Sequence, residues 1–161
     1  MKKKNYTILS IIFLIIISAC AGYEPIFKTQ NIQFKISEHS IEGEKLIGNK
    51  IFSKLNKLSN YQKDKTNLKS ISIKIISSKN KEEATKDSAG NVLEYKITLS
   101  TKIEITDYVN QNKLLNQNFV SSIIYKVQNQ YSQTLKLENK SIEDLIEKTY
   151  QELIIRISES I

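Results

Sequence analysis

Leu93-Glu94-Tyr95-Lys96-Ile97-Thr98-Leu99-Ser100-Thr101-Lys102-Ile103-Glu104-Ile105 is the stretch that decides the fold. Leu93, Tyr95, Ile97, Leu99, Thr101, Ile103 and Ile105 alternate with charged or small polar residues over thirteen positions. Successive side chains of a strand point to opposite faces, so this pattern describes a long antiparallel strand with one buried face and one wet face. Asp107 to Lys113, with Asn110-Gln111-Asn112, reads as a hairpin connection to a further strand. That strand places Phe119, Ile123, Tyr125 and Val127 on one side.

Upstream, Ile71-Ser72-Ile73-Lys74-Ile75 alternates in the same way and predicts a strand. Ser77 to Asn91 is polar and charged and is read as a connection, with Gly90-Asn91 as its turn. Ile32-Gln33-Phe34-Lys35-Ile36 predicts a short first strand. Between these strands, Ile47, Ile51, Leu55 and Leu58 recur on one face of a helix expected over 41–58, with Ser40 as its N-cap. Gly43 and Gly48 count against that helix at about 1 kcal/mol each relative to alanine.

Gln128 to Lys140 is read as a polar loop. A last helix is expected from Ser141, through the capping pattern Ser141-Ile142-Glu143-Asp144, to about Ile157. Ile142, Leu145, Ile146, Leu153 and Ile157 form its stripe, and Asp144–Lys148 and Glu152–Arg156 are expected i,i+4 pairs. The order β-α-β-β-β-α predicts an α+β fold, a four-stranded, mostly antiparallel sheet with two helices packed on one face.

The N-terminus carries a different signal. Met1-Lys2-Lys3-Lys4 precedes the apolar run Ile8 to Ile17, which has the length of an export-signal core and is short of the roughly 20 residues that cross a bilayer. Ile17-Ser18-Ala19-Cys20 resembles the lipobox cut by lipoprotein signal peptidase. The expected organisation is a signal peptide over 1–19, a lipidated tether over 20–30 and one domain over 31–161. Cys20, the sole cysteine, is the expected lipid attachment site and excludes an intramolecular disulfide. A single acyl chain holds a protein weakly, whereas the three implied by the lipobox hold it stably.

The chain carries net charge +7, which falls to +4 once Lys2, Lys3 and Lys4 leave with the signal. A mildly basic surface suits an anionic partner. Machinery for chemistry is missing from the pattern. There is one histidine, His39, and a metal site needs several converging ligands, so neither metal nor cofactor is expected. Four glycines form no phosphate-binding loop, and no nucleophile elbow occurs. The expectation is a binding protein rather than an enzyme, with no nucleic acid among its partners.

Four features together resemble one family. Cys20-Ala21-Gly22-Tyr23-Glu24-Pro25-Ile26-Phe27 is similar to the Cys-Gly-aromatic-x-Pro-Leu-Tyr start of alphaproteobacterial members, with Ala21 as an extra residue. The order of elements is that of the family. Gly90-Asn91-Val92-Leu93-Glu94-Tyr95 resembles its Gly-x-x-x-Glu-Tyr opening of the third strand, and Leu145 to Ile157 looks like its closing helix. The family is LptE, the lipoprotein of the outer-membrane lipopolysaccharide translocon.

The resemblance implies a plug inside the LptD β-barrel that assists barrel assembly and lipopolysaccharide insertion. It also implies residence in the outer membrane, facing the periplasm through a lipid anchor. Ala21 after the lipidated cysteine agrees with that, since an aspartate there is the inner-membrane retention signal in analogous systems. Basic residues proposed to touch lipopolysaccharide in the family fall here at Ser88 and Glu138, neither of them basic, with Lys86 and Lys136 two residues away as the expected contacts. The rival expectation is an accessory lipoprotein of another envelope system, a lipid-transport ABC auxiliary or a barrel-assembly subunit.

Overall fold

In the computed structural model, residues 34–60 and 68–160 are described. The expected signal peptide over 1–19, the expected lipidation site Cys20, the expected tether over 20–30, and Ile32 and Gln33 of the expected first strand lie outside them. Six elements follow in the order β1 (Phe34–Gly43), α1 (Lys45–Asn60), β2 (Lys69–Lys86), β3 (Val92–Asp107), β4 (Lys113–Lys126) and α2 (Tyr131–Ser160). The sheet order is β1-β2-β3-β4. β1 runs parallel to β2, and the two remaining pairings are antiparallel. The parallel pair requires a crossover, which α1 supplies. The α+β class, the order of elements and the mostly antiparallel sheet are as the sequence predicts.

The alternation in β3 sets which face is buried. Ile97, Leu99, Thr101, Ile103 and Ile105 are all at most 1% exposed. Ile71, Ile73 and Ile75 of β2 lie across from Asp107, Ile105 and Ile103, and Phe119 and Tyr125 continue the buried face on β4. Ile47, Ile51 and Leu55 of α1, with Leu145, Ile146, Leu153 and Ile157 of α2, complete the core. Each such side chain contributes roughly 1.5–3 kcal/mol by leaving water.

Three boundaries differ from the expectation, each for a tertiary reason. The first helix begins at Lys45, and Ser40 and Ile41 belong to β1. The chain turns at Gly43, whose φ of +73° favours glycine, and a Cβ there would strike the Ser77 carbonyl. The Glu44 N–H donates to that same Ser77 oxygen at 2.8 Å, and the Glu44 carbonyl opens the helix by accepting from Ile47 and Gly48. Gly48 is no defect either. It is buried, and a Cβ there would come within 2.5 Å of Ile41 Cγ2, so the helix can approach the sheet only because that atom is missing.

The second difference lies in 77–91, which is not a connection. β2 continues to Lys86, paired with β3 as far as Val92, and only Asp87 to Asn91 form the turn. Beyond Ser77 the strand has lost β1 and its buried face, so no apolar alternation marks it. Backbone pairing and cross-strand contacts such as Lys96–Glu82 at 3.0 Å suffice.

The third difference is the last helix, which starts at Tyr131, ten positions ahead of Ser141. Gln130 supplies the first carbonyl, accepting from Gln133 and Thr134. Ser141 is buried within the helix and caps nothing. The expected pairs along it are replaced as well. Asp144 meets Lys140 and Arg156 meets Glu159, each at 3.0 Å, while Glu143 and Glu147 reach across to Lys50 and Lys54 of α1. An acid facing a second helix finds its base there rather than one turn along its own.

Candidate functional site

The β2–β3 hairpin runs past the end of β1 as an arm, since β1 pairs with β2 only as far as Ser77, and β4 stays paired with β3 along it as far as Glu94. Toward the arm's tip, period-two alternation turns Tyr95 to the helix side, opposite Tyr125 of β4, with ring centroids 5.9 Å apart. Lys81 lies over these rings, 4.4 Å from the Tyr95 centroid and 5.8 Å from that of Tyr125. Its Nζ meets Glu138 Oε2 of α2 at 2.6 Å, and the Tyr125 hydroxyl donates to the same oxygen at 3.0 Å.

The electrostatics of this cluster are internally matched. Burial works against the Lys81 ammonium, but hydrogen bonds to Glu138 and Tyr125 outweigh it and raise the lysine above its ordinary value. Burial likewise opposes the Glu138 carboxylate, and the same two partners hold it below the usual range. Burial, with the nearby Glu138 carboxylate, raises Tyr125, which stays a protonated donor. The cluster forms one wall of an open cleft of about 470 Å³, whose other walls include Val127, Gln128, Tyr131, Thr134 and Leu135. Thr134 is fixed there by accepting the Gln128 N–H at 2.8 Å.

The expected lipopolysaccharide contacts sit differently. Lys86 ends β2, next to the turn that holds Ser88, and pairs with Glu83 at 2.6 Å. That hydrogen bond raises its pKa. Lys136 is exposed on the early turns of α2 and makes no ion pair among the described residues. Glu138 is committed to Lys81 and Tyr125. Lys81, Tyr95 and Tyr125 were not singled out by the sequence, because Lys81 falls in a stretch read as a connection. The only available hint was that Tyr95 and Tyr125 both belong to buried-face alternations.

Among the described residues no three His, Cys, Asp or Glu side chains converge to hold a metal. His39 stacks on Phe52 at 3.9 Å, a packing role. No helix among the described residues is long and apolar enough to cross a membrane.

The helices cover one face of the sheet and leave the other open. That open face carries ion pairs, Lys74–Glu42 and Lys102–Glu104 at 2.7 Å and Lys96–Glu82 at 3.0 Å. It also carries Ser100 hydrogen-bonded to Asn118 at 3.2 Å, and two exposed apolar residues, Val120 and Ile124.

No protein-family model and no curated protein sequence matches the chain. Solved structures do. A lipoprotein from Caulobacter crescentus superposes with a TM-score of 0.54 at 12% identity, covering 77% of this chain and 88% of that one. A minor lipoprotein from Acinetobacter baumannii gives 0.56 at 12% identity, with 78% and 90% covered. Lipoprotein B from Nitrosomonas europaea gives 0.57 at 14% identity, with 83% and 88% covered. What this chain shares with these three lipoproteins is the fold.

Proposed function

We propose that this chain is an envelope lipoprotein, anchored through Cys20, that serves as plug and assembly partner of an LptD-like outer-membrane β-barrel. The observation that carries the reading is the open sheet face. A domain seated in a barrel lumen must present a polar surface to a polar wall, since the lumen of such barrels is lined by polar side chains. Ion pairs and amides cover most of this face, with Val120 and Ile124 as exposed apolar residues near its β4 edge, while the core lies on the helix side. The shared fold with three lipoproteins supports the anchored, exported part of the reading.

The chain acts by binding. Its part in assembly is to fill the lumen with a polar surface that pairs with the polar side chains lining it. Lys86 at the arm's end and Lys136 on α2 are the proposed contacts to lipopolysaccharide phosphates. Depletion tests the reading. Loss of the chain is expected to lower the amount of folded barrel and to open the envelope to bulky hydrophobic antibiotics. Unchanged barrel levels and unchanged surface lipopolysaccharide would sink it and favour an accessory role in another envelope system.

A further inference from the structure

The strand edges of the sheet are guarded unequally. β1 carries Lys35, Glu38 and Glu42 and a register irregularity between Ile36 and Glu38. The free part of β2 beyond Ser77 carries Lys79, Lys81, Glu82, Glu83 and Lys86. Charges and bulges of this kind are what keep strand edges from pairing with other chains. β4 has neither over most of its length. From Leu114 to Tyr125 it contains no charged residue, no proline and no glycine, and its outer side pairs with no described strand. Val120 is 60% exposed and Ile124 55% exposed, four residues apart on the open face. Beside this edge runs a groove of about 390 Å³ between β4 and α2, walled by Phe119, Val120 and Ile155 and by the charged Glu152, Arg156 and Glu159, the last two paired with each other.

A strand edge flanked by a helix, with a groove between them, is the arrangement by which extended segments are recognised. The backbone edge supplies hydrogen bonds and the groove selects alternate side chains. We infer that the free edge of β4 is a strand-addition site for an extended, acid-flanked segment of a partner protein.

Two observations identify the occupant. Lys113 and Lys126 bracket the uncharged stretch, so acidic residues at the ends of a segment match it there, while Glu152 and Glu159 in the groove require a centre free of acids. Sterics disfavour a second copy of this chain. α2 packs chiefly on β4, over Phe119 and Tyr125, so edge-to-edge pairing of two copies would set their α2 helices over neighbouring strands. Neighbouring strands are about 4.8 Å apart, whereas packed helices need about 8–10 Å. The segment must therefore arrive without a helix on its inner face, and apolar residues four apart in it would meet Val120 and Ile124. The inference rests on the assembly-partner reading and gives it a surface.

Photocrosslinking in the full-length chain, in its own envelope, tests it. Benzoylphenylalanine is placed in turn at positions 118, 120 and 122. The expected result is that all three crosslink into one segment of one partner, the site advancing about two residues at each step, with Asp or Glu near both ends of the segment. The double substitution Val120→Lys, Ile124→Lys should lower the yield from position 122 several-fold, while the melting temperature stays near that of the parent. Scattered crosslinks, none at all, crosslinks into a second copy or into the chain's own residues 1–33, or a yield that survives the lysine pair would each overturn the inference. A barrel that co-purifies with the chain while the crosslinks scatter leaves the function standing and removes only the edge site. If no barrel co-purifies, the function reading fails, and the strand register of the crosslinks still decides the edge.

Discussion

Lys81 Nζ lies 2.6 Å from Glu138 Oε2, tying the β2–β3 arm to the early turns of α2 across 57 residues of sequence. Both partners are half-buried, with side chains 35% and 16% exposed, and Tyr125 donates to the same carboxylate. The pair fastens the arm to the part of α2 that precedes Ser141.

Removing either partner leaves the other half-buried and unpaired. Lys81→Met and Glu138→Gln are each expected to destabilise the domain by about 1–3 kcal/mol. The double variant should cost less than the sum, a coupling of about 0.5–3 kcal/mol. Chemical denaturation of the four proteins measures this, and strict additivity would show that the contact does not hold the arm.

The same pair sets a pH dependence. Glu138 is held below its ordinary value, so its contribution is present above the usual glutamate range and is lost as pH falls through the lowered folded value. Lys81 is raised, so its contribution is complete below the usual lysine value near 10.4 and is lost only at higher pH. Melting temperature between neutral pH and about pH 3 should therefore fall more steeply in the parent than in Glu138→Gln, given ordinary glutamate titration near 4.3. Parallel curves would contradict this.

Ser77 and Thr101 face each other across β2 and β3, and Ser121 lies nearby opposite Leu99. All three hydroxyls are buried without a hydrogen-bond partner among the described residues. Thr101 is fully buried, and valine has nearly its shape. Thr101→Val is therefore expected to stabilise the domain by about 1 kcal/mol, through the desolvation cost it removes. A loss of stability in urea denaturation would mean the hydroxyl is satisfied in solution.

Gly48→Ala pits helix propensity against space. Alanine gains about 1 kcal/mol within a helix. Its methyl group would nevertheless lie 2.5 Å from Ile41 Cγ2, and overpacking of this kind costs roughly 1–3 kcal/mol. The expected outcome is net destabilisation, relieved by Ile41→Ala, which removes the clashing Cγ2. A more stable Gly48→Ala would show that α1 can lift off β1 without cost.

Strand register is tested by neighbours on opposite faces. Ile97 is 1% exposed, and Lys96 sits on the open face in an exposed pair with Glu82. Ile97→Asp should cost several kcal/mol, about 4 or more, because an unpaired charge enters the core. Lys96→Gln should stay within about 0.5 kcal/mol. Comparable losses would place the wrong face inward.

Legibility tracked the presence of a buried face. β3 was read almost to its ends because the core imposes strict alternation on it. The outer half of β2 has no buried face, so its paired strand looked like a polar connection. The first ten residues of α2 carry Thr134, bonded to Gln128 just ahead of the helix, and Glu138, which reaches Lys81 on a distant strand, a contact that no local pattern encodes. Gly43 and Gly48 weigh against a helix by propensity, yet one forms the turn before it and the other its contact with the sheet. The site was less legible than the fold. Lys86 and Lys136 were named by resemblance to a family, whereas the Lys81–Tyr95–Tyr125–Glu138 cluster exists only once arm and helix are folded together.

The central claim is the partnership with a barrel. The most direct measurement is affinity purification of the full-length chain from gently solubilised envelopes, with mass spectrometry of what comes with it. The account predicts one outer-membrane β-barrel protein in near-equal amount, recovered together with a Cys20-acylated form of the chain. Recovery of the chain alone, or with an inner-membrane transport complex in place of a barrel, would contradict it.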